Sequence, residues 1–508
     1  MNNEIKMPPR SSGVLLPMAS LSGPYGVGVL GEEAFEFIDF LHECGFHAWQ
    51  ILPVEPPGYG DSPYRCLSSF AGEPLLIDPG MLLVMGLVTN EELTERKTGF
   101  NDEFIDYDTV RKKQRDILKI AFSRLKTKTY KDFTPFWLDD YALYMALMHH
   151  YDNYPWQFWS DKSHRTRDPD ALLKFMEKNQ SEIEFHKFVQ WLFDLQWRKV
   201  HDYAKKRNIS IIGDLPIYVS EDSVEVWTGR DLFNADEDGN FLYIGGVPPD
   251  YFTTDGQCWG NPIYNWELMK RENYSWWITR LKESLNRYDV VRLDHFRGFA
   301  DYWRIPGGSD TARAGKWVKG PGMSLFNALK KALGDLSLSL FAEDLGVTSV
   351  RVEKLLKDSG MRCMRVLQFG FLGGGEISHL PHNVPYHSTV YTGTHDNTPT
   401  LAWMEDELTG EKRDHTLSYI GFEGDWRQRG ANTPIVKTWL RTLFMTPSSL
   451  AIVPLHDMLG YGAEARINTP GTASGNWRFR IPNGALDDID IDFYKELHKT
   501  YLREDPVK

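Results

Sequence analysis

Cysteine is scarce in this chain: four residues in 508, at Cys44, Cys66, Cys258 and Cys363, with no C-x-x-C spacing. The pattern argues against a disulfide framework or a zinc ribbon and fits reduced thiols in a cytoplasmic protein. Basic charge is short as well. The 57 Lys and Arg face 70 Asp and Glu, a formal charge of −13 without a long basic run. Neither nucleic acid nor an anionic membrane is therefore expected as a partner. The longest uninterrupted apolar-and-glycine run, Met81–Val88, falls far below the ~20 residues of a membrane span. The opening MNNEIKMPPRSSG lacks the apolar core of a secretory signal. Metal signatures are missing too: there is no H-E-x-x-H, no calcium-loop pattern and no Cys/His spacing for zinc. His379-x-x-His382 alone does not make a site, and no metal or other cofactor is expected.

Rings, by contrast, are in surplus. Aromatic residues make up 13% of the chain, including 17 Trp and 23 Tyr. Many belong in a core, but such a surplus can also build platforms for the apolar faces of sugars. Along the chain, short β-branched runs alternate with helical or loop segments. Gly13–Pro17, Ala48–Leu52, Ile209–Asp214, Val290–Asp294, Ser337–Ala342, Arg365–Phe369, Ser388–Tyr391 and Leu450–Val453 read as strands. Eight is the number an α/β fold of the (β/α)₈ TIM-barrel type needs. Apolar residues at helical spacing predict helices over Glu32–Glu43, Val110–Lys126, Asp139–His150 and Glu182–Lys205. The chain thus reads as one catalytic barrel over residues 1–508. A large, mostly helical insertion runs from about 74 to 207 after the second strand. A loop-rich one, from about 220 to 285 after the third, would line the active site.

The polar residues cluster at the strand ends. In Val290–Phe299, VVRLDHFRGF, Arg292 and Asp294 are two apart on a strand and face the same side. An isolated R-x-D is most simply a structural ion pair. Here Asp214 closes the third strand, Asp294 the fourth and Glu343 follows the fifth, with His395 and Asp396 just beyond the seventh. The C-terminal strand ends of such a barrel converge on one face, where chemistry is assembled. Several carboxylates on that rim point to a carboxylate enzyme. Gly26–Gly31 spells a literal G-x-G-x-x-G, but Met18–Tyr25 separates it from the strand, so a nicotinamide or flavin site is not favoured.

A family resemblance rests on GPYGVGVLG (Gly23–Gly31), PPGYGDSPY (Pro56–Tyr64), IIGDLPIYV (Ile211–Val219), GVPPDYF with GQCWGNPIYNW (within Gly246–Trp266), VRLDHFRGF, AEDLG (Ala342–Gly346), MRVLQF (Met364–Phe369) and GTHDN (Gly393–Asn397). The chain resembles the 4-α-glucanotransferases, or amylomaltases, of glycoside hydrolase family 77. The resemblance implies a (β/α)₈ barrel acting on malto-oligosaccharides and α-1,4-glucans by a retaining double displacement. It makes Asp294 the nucleophile, Glu343 the general acid/base and Asp396 a transition-state stabiliser. Arg292 would keep Asp294 ionised, while Asp294 and Asp396 would hold a proton on Glu343. Tyr59 and Trp259 are expected to stack on sugar, and Asp250, His295, His395 and Asn468 to bond its hydroxyls. Asp214 belongs to the same substrate-binding set or orders the rim, and Arg292 is counted in that set as well. RCLSSFAG (Arg65–Gly72) and Thr398-Pro399-Thr400 depart from the family's usual wording without touching the three carboxylates. The competing readings are an amylase-like retaining hydrolase and a non-catalytic glucan-binding protein.

Overall fold

The computed structural model describes residues 7, 9–98, 103–126, 129–236, 238–249, 254–346, 349–373, 376–472 and 474–504; the Tyr59 side chain lies outside the described set. Twelve strands occur among these residues: β1 (Ser11–Leu15), β2 (Ala48–Gln50), β3 (Ser210–Leu215), β4 (Tyr243–Val247), β5 (Gln257–Pro262), β6 (Val290–Leu293), β7 (Asp301–Pro306), β8 (Lys316–Lys319), β9 (Leu340–Ala342), β10 (Cys363–Val366), β11 (Ser388–Tyr391) and β12 (Leu450–Pro454). Eight form one parallel sheet in the order β10-β11-β12-β1-β2-β3-β6-β9. Closure comes between β9 and β10, where the Ala342 N–H donates to the Arg362 carbonyl (2.9 Å) and the Met364 N–H donates to Asp344 Oδ1 (2.7 Å). The result is a (β/α)₈ barrel.

Each barrel strand is built from residues that tolerate burial on both faces. β1, β2, β3, β6, β9, β11 and β12 are buried at every position. Close packing shows at Gly213 in β3, where a Cβ would lie 2.2 Å from the Tyr288 ring. The first helix, Glu32–Cys44, buries Ala34, Phe37, Ile38 and Leu41 at the expected spacing, and Gly45 ends it with φ +86°. One strand is displaced from its expected place. The apolar run Leu367–Phe371 is a short buried helix, and the strand lies just before it at Cys363–Val366. Periodicity cannot separate a buried strand from a buried helical turn in so short a run.

Between β2 and β3 the described chain holds helices and no strand, the longest being Tyr107–Arg124, Leu138–His150 and Gln180–Lys206. The stretch after β3 holds more regular structure than a loop-rich reading implies. β4 and β5 join β7 and β8 in an antiparallel sheet of order β5-β4-β7-β8. Bulges and glycines make these strands hard to see: β4 reads YIGGV, and its pairing with β5 shifts register between Ile244 and Gly246. Among the described residues, no helix is long and apolar enough to cross a membrane.

Candidate active site

Three adjacent barrel strands set the floor of the site. Asp214 in β3 registers against Arg292 in β6, and Arg292 against Phe341 in β9. Asp294 and Glu343 come directly after β6 and β9. Their own N–H groups extend the ladders, to the Leu215 carbonyl (3.1 Å) and the Leu293 carbonyl (3.0 Å) respectively. Parallel pairing thus carries residues far apart in sequence onto one end of the barrel.

Arg292 is the hub. One terminal nitrogen donates to Asp214 Oδ2 (2.6 Å) and to Asp294 Oδ1 (2.9 Å), and the other lies 4.0 Å from Glu343 Oε2. The guanidinium side chain is 4% exposed and Asp214 is sealed, whereas Asp294 keeps 25% of its side-chain surface open. Asp214 and Arg292, both grouped with substrate binding in the sequence reading, therefore lie beneath the floor, and Asp294 is the more open of the two acids bonded to the guanidinium. The guanidinium also occupies the space among these carboxylates where a bridging cation would have to sit.

Glu343 is held differently. His295 takes a left-handed backbone conformation (φ +45°), which a non-glycine residue adopts at an energetic cost of order 1–2 kcal/mol. Its N–H donates to Glu343 Oε2 (2.9 Å), and the Leu345 N–H donates to Oε1 (2.7 Å). Burial drives the Glu343 carboxyl up to about 7. Arg292 and the two N–H groups oppose that rise, and the Asp294 charge adds to it. Burial rather than neighbouring negative charge is thus the main reason Glu343 retains a proton. Desolvation likewise lowers the half-buried His295 imidazole, to about 4, and it is neutral near pH 7. Its ring meets Trp259 edge to face, with centroids 4.9 Å apart.

Asp396 belongs to the loop after β11. The Asn468 amide donates to its Oδ1 (2.7 Å), and His395 Nε2 lies 3.3 Å from its Oδ2. Burial raises this carboxyl, but His395, Asn468 and Arg292 together outweigh it and the net shift is downward. Arg466 ties this loop to the segment carrying Asn468. It donates to the Asp396 carbonyl (3.3 Å), the Asn468 carbonyl (2.9 Å) and the Thr398 hydroxyl (2.7 Å), and Thr398 in turn donates to Glu407 Oε1 (2.5 Å). The unusual Thr398 is therefore an uncharged relay between Arg466 and Glu407.

Two further residues went unassigned in sequence. The Tyr64 hydroxyl donates to Asp214 Oδ2 (2.8 Å) and lies 3.0 Å from His395 Nε2. Its ring stacks on His395 at 5.2 Å, and Trp477 closes the cluster 5.8 Å away. Tyr64 is the last letter of PPGYGDSPY, so the motif held the signal; Trp477 had none. Asp250 and the Tyr59 side chain lie outside the described residues. The other expected site residues, Asp214, Trp259, Arg292, Asp294, His295, Glu343, His395, Asp396 and Asn468, are joined through hydrogen bonds, ion pairs and ring contacts, with Tyr64 as a link, into one cluster.

Comparison with known proteins identifies the family. The profile of the 4-alpha-glucanotransferase family matches residues 16–486. The chain is 41% identical over 504 residues to the 4-alpha-glucanotransferase of Streptococcus pneumoniae serotype 4 strain TIGR4, covering 98% of each. It is 43% identical over 491 residues to that of Thermus thermophilus, covering 94% of this chain and 96% of the relative. Among solved structures, an amylomaltase from Streptococcus agalactiae in complex with acarbose superposes with a TM-score of 0.92 at 39% identity, covering 98% of this chain and all of that one. The chain belongs to the 4-alpha-glucanotransferase family, glycoside hydrolase family 77.

Proposed function

We propose that the cleft cuts an α-1,4 bond of a malto-oligosaccharide or longer α-1,4-glucan and moves the donor segment to the 4-hydroxyl of another glucose or glucan. Asp294 Oδ attacks the anomeric carbon as the bond from that carbon to the leaving oxygen breaks. Glu343 passes its proton to that oxygen, and the donor segment is left as an ester on Asp294. In the second half, Glu343 takes the proton from the acceptor hydroxyl, whose oxygen attacks the anomeric carbon and releases Asp294. Asp396, held ionised by His395 and Asn468, stabilises positive charge on the sugar in both transition states. The carrying observation is the contrast between two carboxyls at one end of the barrel, with Glu343 pushed up to about 7 and Asp396 pulled down. Opposed environments of this kind separate an acid from an ionised stabiliser.

His395 and Asn468 offer hydrogen bonds to the reacting sugar, and Tyr64 and Trp259 offer ring faces. Tyr59 and Asp250 are assigned to the same task by family motif alone. The stretches from about 74 to 207 and 220 to 285 act as insertions of the single catalytic barrel, the second bordering the cleft. A cytoplasmic setting fits the free thiols Cys44, Cys66, Cys258 and Cys363. Incubation with maltotriose should release glucose and a ladder of longer oligomers. Glucose and maltose without any longer product would identify a hydrolase instead. Asp294→Ala should lose on the order of 10³-fold or more in turnover, and retention of wild-type turnover would remove Asp294 from the nucleophile's role.

A further inference from the structure

The segment Tyr151–Ser160, YDNYPWQFWS, sorts its rings in opposite directions. Trp156 and Trp159 are buried, whereas Tyr154 and Phe158 are 63% and 73% exposed. Together with Pro155, the two exposed side chains line a shallow depression on the surface. Covering a large apolar side chain gains roughly 1.5–3 kcal/mol, and the fold forgoes that gain twice within five residues.

The segment beneath is firmly held. Asp152 and Asn153 turn the chain with φ +53° and +62°. The Asn153 N–H donates to the Met148 carbonyl (2.8 Å), and the Phe158 N–H donates to the Pro155 carbonyl (2.9 Å). Trp159 Nε1 donates to the Tyr154 carbonyl (2.9 Å), and the Trp159 ring stacks on Tyr151 at 5.2 Å. Tyr154 and Phe158 are thus presented by a braced turn. The same turn is fastened to the stretch that follows β3. Gln157 Nε2 and Trp156 Nε1 both donate to the Glu221 carbonyl (2.7 and 3.2 Å). The Glu221 carboxylate pairs with Arg65, the neighbour of Tyr64, and borders Gly260, the neighbour of Trp259. Glu221 therefore connects the turn carrying the exposed rings to the segments that hold Tyr64 and Trp259.

We propose that Tyr154 and Phe158 form a second glucan-binding platform, an outlying stop for long α-glucan chains that continue beyond the cleft. The inference rests on the transferase reading above. An α-1,4-glucan presents apolar ring faces edged by hydroxyls. Tyr154 and Phe158 would meet the faces, while the exposed Asp152, Asn153 and Ser160 stand beside them for the hydroxyls. A protein partner fits less well. Two rings of about 150–250 Å² each fall well short of the 1,200–2,000 Å² that stable protein interfaces bury. The platform should act on long substrates and be silent for short ones.

The test is the double variant Tyr154→Ala/Phe158→Ala in the full chain, beside a ring-preserving Tyr154→Phe/Phe158→Tyr control. Maltotriose disproportionation should stay within twofold of wild type in both. For amylose, KM should rise roughly three- to tenfold in the alanine variant and stay near wild type in the control. Retardation in native gels cast with amylose should weaken in the same order. A wild-type protein that leaves maltotriose unchanged would overturn the transferase reading itself. Normal maltotriose turnover with unchanged amylose KM and retardation in the alanine variant would overturn the platform alone. So would light scattering showing a wild-type dimer that the alanine variant dissolves, since the rings would then cover a second copy.

Discussion

The proposed chemistry leans on one carboxyl, that of Glu343. Its rise from 4.5 to about 7 is caused first by burial, against the pull of Arg292 and of two backbone N–H groups. Two consequences follow with definite sign. The folded protein holds a proton on Glu343 that the unfolded chain has already lost above pH 4.5. The group's contribution to stability therefore declines as pH rises from about 4.5 to about 7. Catalytically, the acid is lost through the same upper limit, so kcat/KM for maltotriose should fall on the alkaline side with a midpoint near pH 7. His295, lowered to about 4, and Asp396, shifted downward, do not titrate between pH 5 and 8. A pH–rate profile flat from 6 to 9 would show that Glu343 is not the acid. Glu343→Gln should cost at least about 10²-fold in turnover, a loss in the range expected for removing a general acid. The role proposed for Glu343 comes from the sequence motif, but the main physical cause of its raised carboxyl does not. AEDLG marks an acid after a strand; only the fold reveals how deeply it is buried.

Elements decide which residues meet. The parallel register of β3, β6 and β9 brings Asp214, Arg292 and the positions after β6 and β9 together, and this much followed from alternating strands and helices. The loops followed only in part. Nothing local says that the loop after β11 must be anchored by Arg466, which donates to groups on Asp396, Asn468 and Thr398. A lysine cannot reproduce such a forked set of bonds, because its charge is a point rather than a planar array. Arg466→Lys should lower kcat on maltotriose by about tenfold while leaving the alkaline limb near pH 7, since Glu343 stands on other elements. An alkaline limb displaced by a full pH unit would mean that Arg466 acts on the acid directly. Thr398→Val, which removes the hydroxyl between Arg466 and Glu407 but leaves the Arg466 bonds to the Asp396 and Asn468 carbonyls, should give a smaller loss than Arg466→Lys. The antiparallel sheet β5-β4-β7-β8 lay hidden because its strands come from two separate inter-strand stretches and carry glycines and a bulge.

At the scale of the whole molecule the barrel divides its labour between its two ends. Chemistry gathers where the strands finish; the opposite end carries the closure of the chain. There Arg503 is buried with no carboxylate paired to it among the described residues, and burial pulls its guanidinium down to about 9. It donates to the carbonyls of Phe444 (2.8 Å), Ser11 (2.9 Å) and Thr446 (3.0 Å), joining the last described residues to the first barrel strand. The Ser12 hydroxyl lies 2.5 Å from His498 Nε2 and adds a second tie between the same regions. Sequence reading had no means of finding this clamp, because its acceptors are backbone carbonyls, which every residue type carries. Truncating Arg503 would strand several buried acceptors at once, each worth roughly 1–3 kcal/mol. Arg503→Ala should therefore lower unfolding free energy by about 2–4 kcal/mol, measured as a shift in urea midpoint with unchanged m. Because the clamp lies across the barrel from Asp294, Glu343 and Asp396, kcat/KM of the folded variant at 20 °C should match wild type within twofold. An activity loss of tenfold or more in protein that remains folded would mean that the two ends of the barrel are coupled, and that the division between stability and chemistry does not hold for this chain.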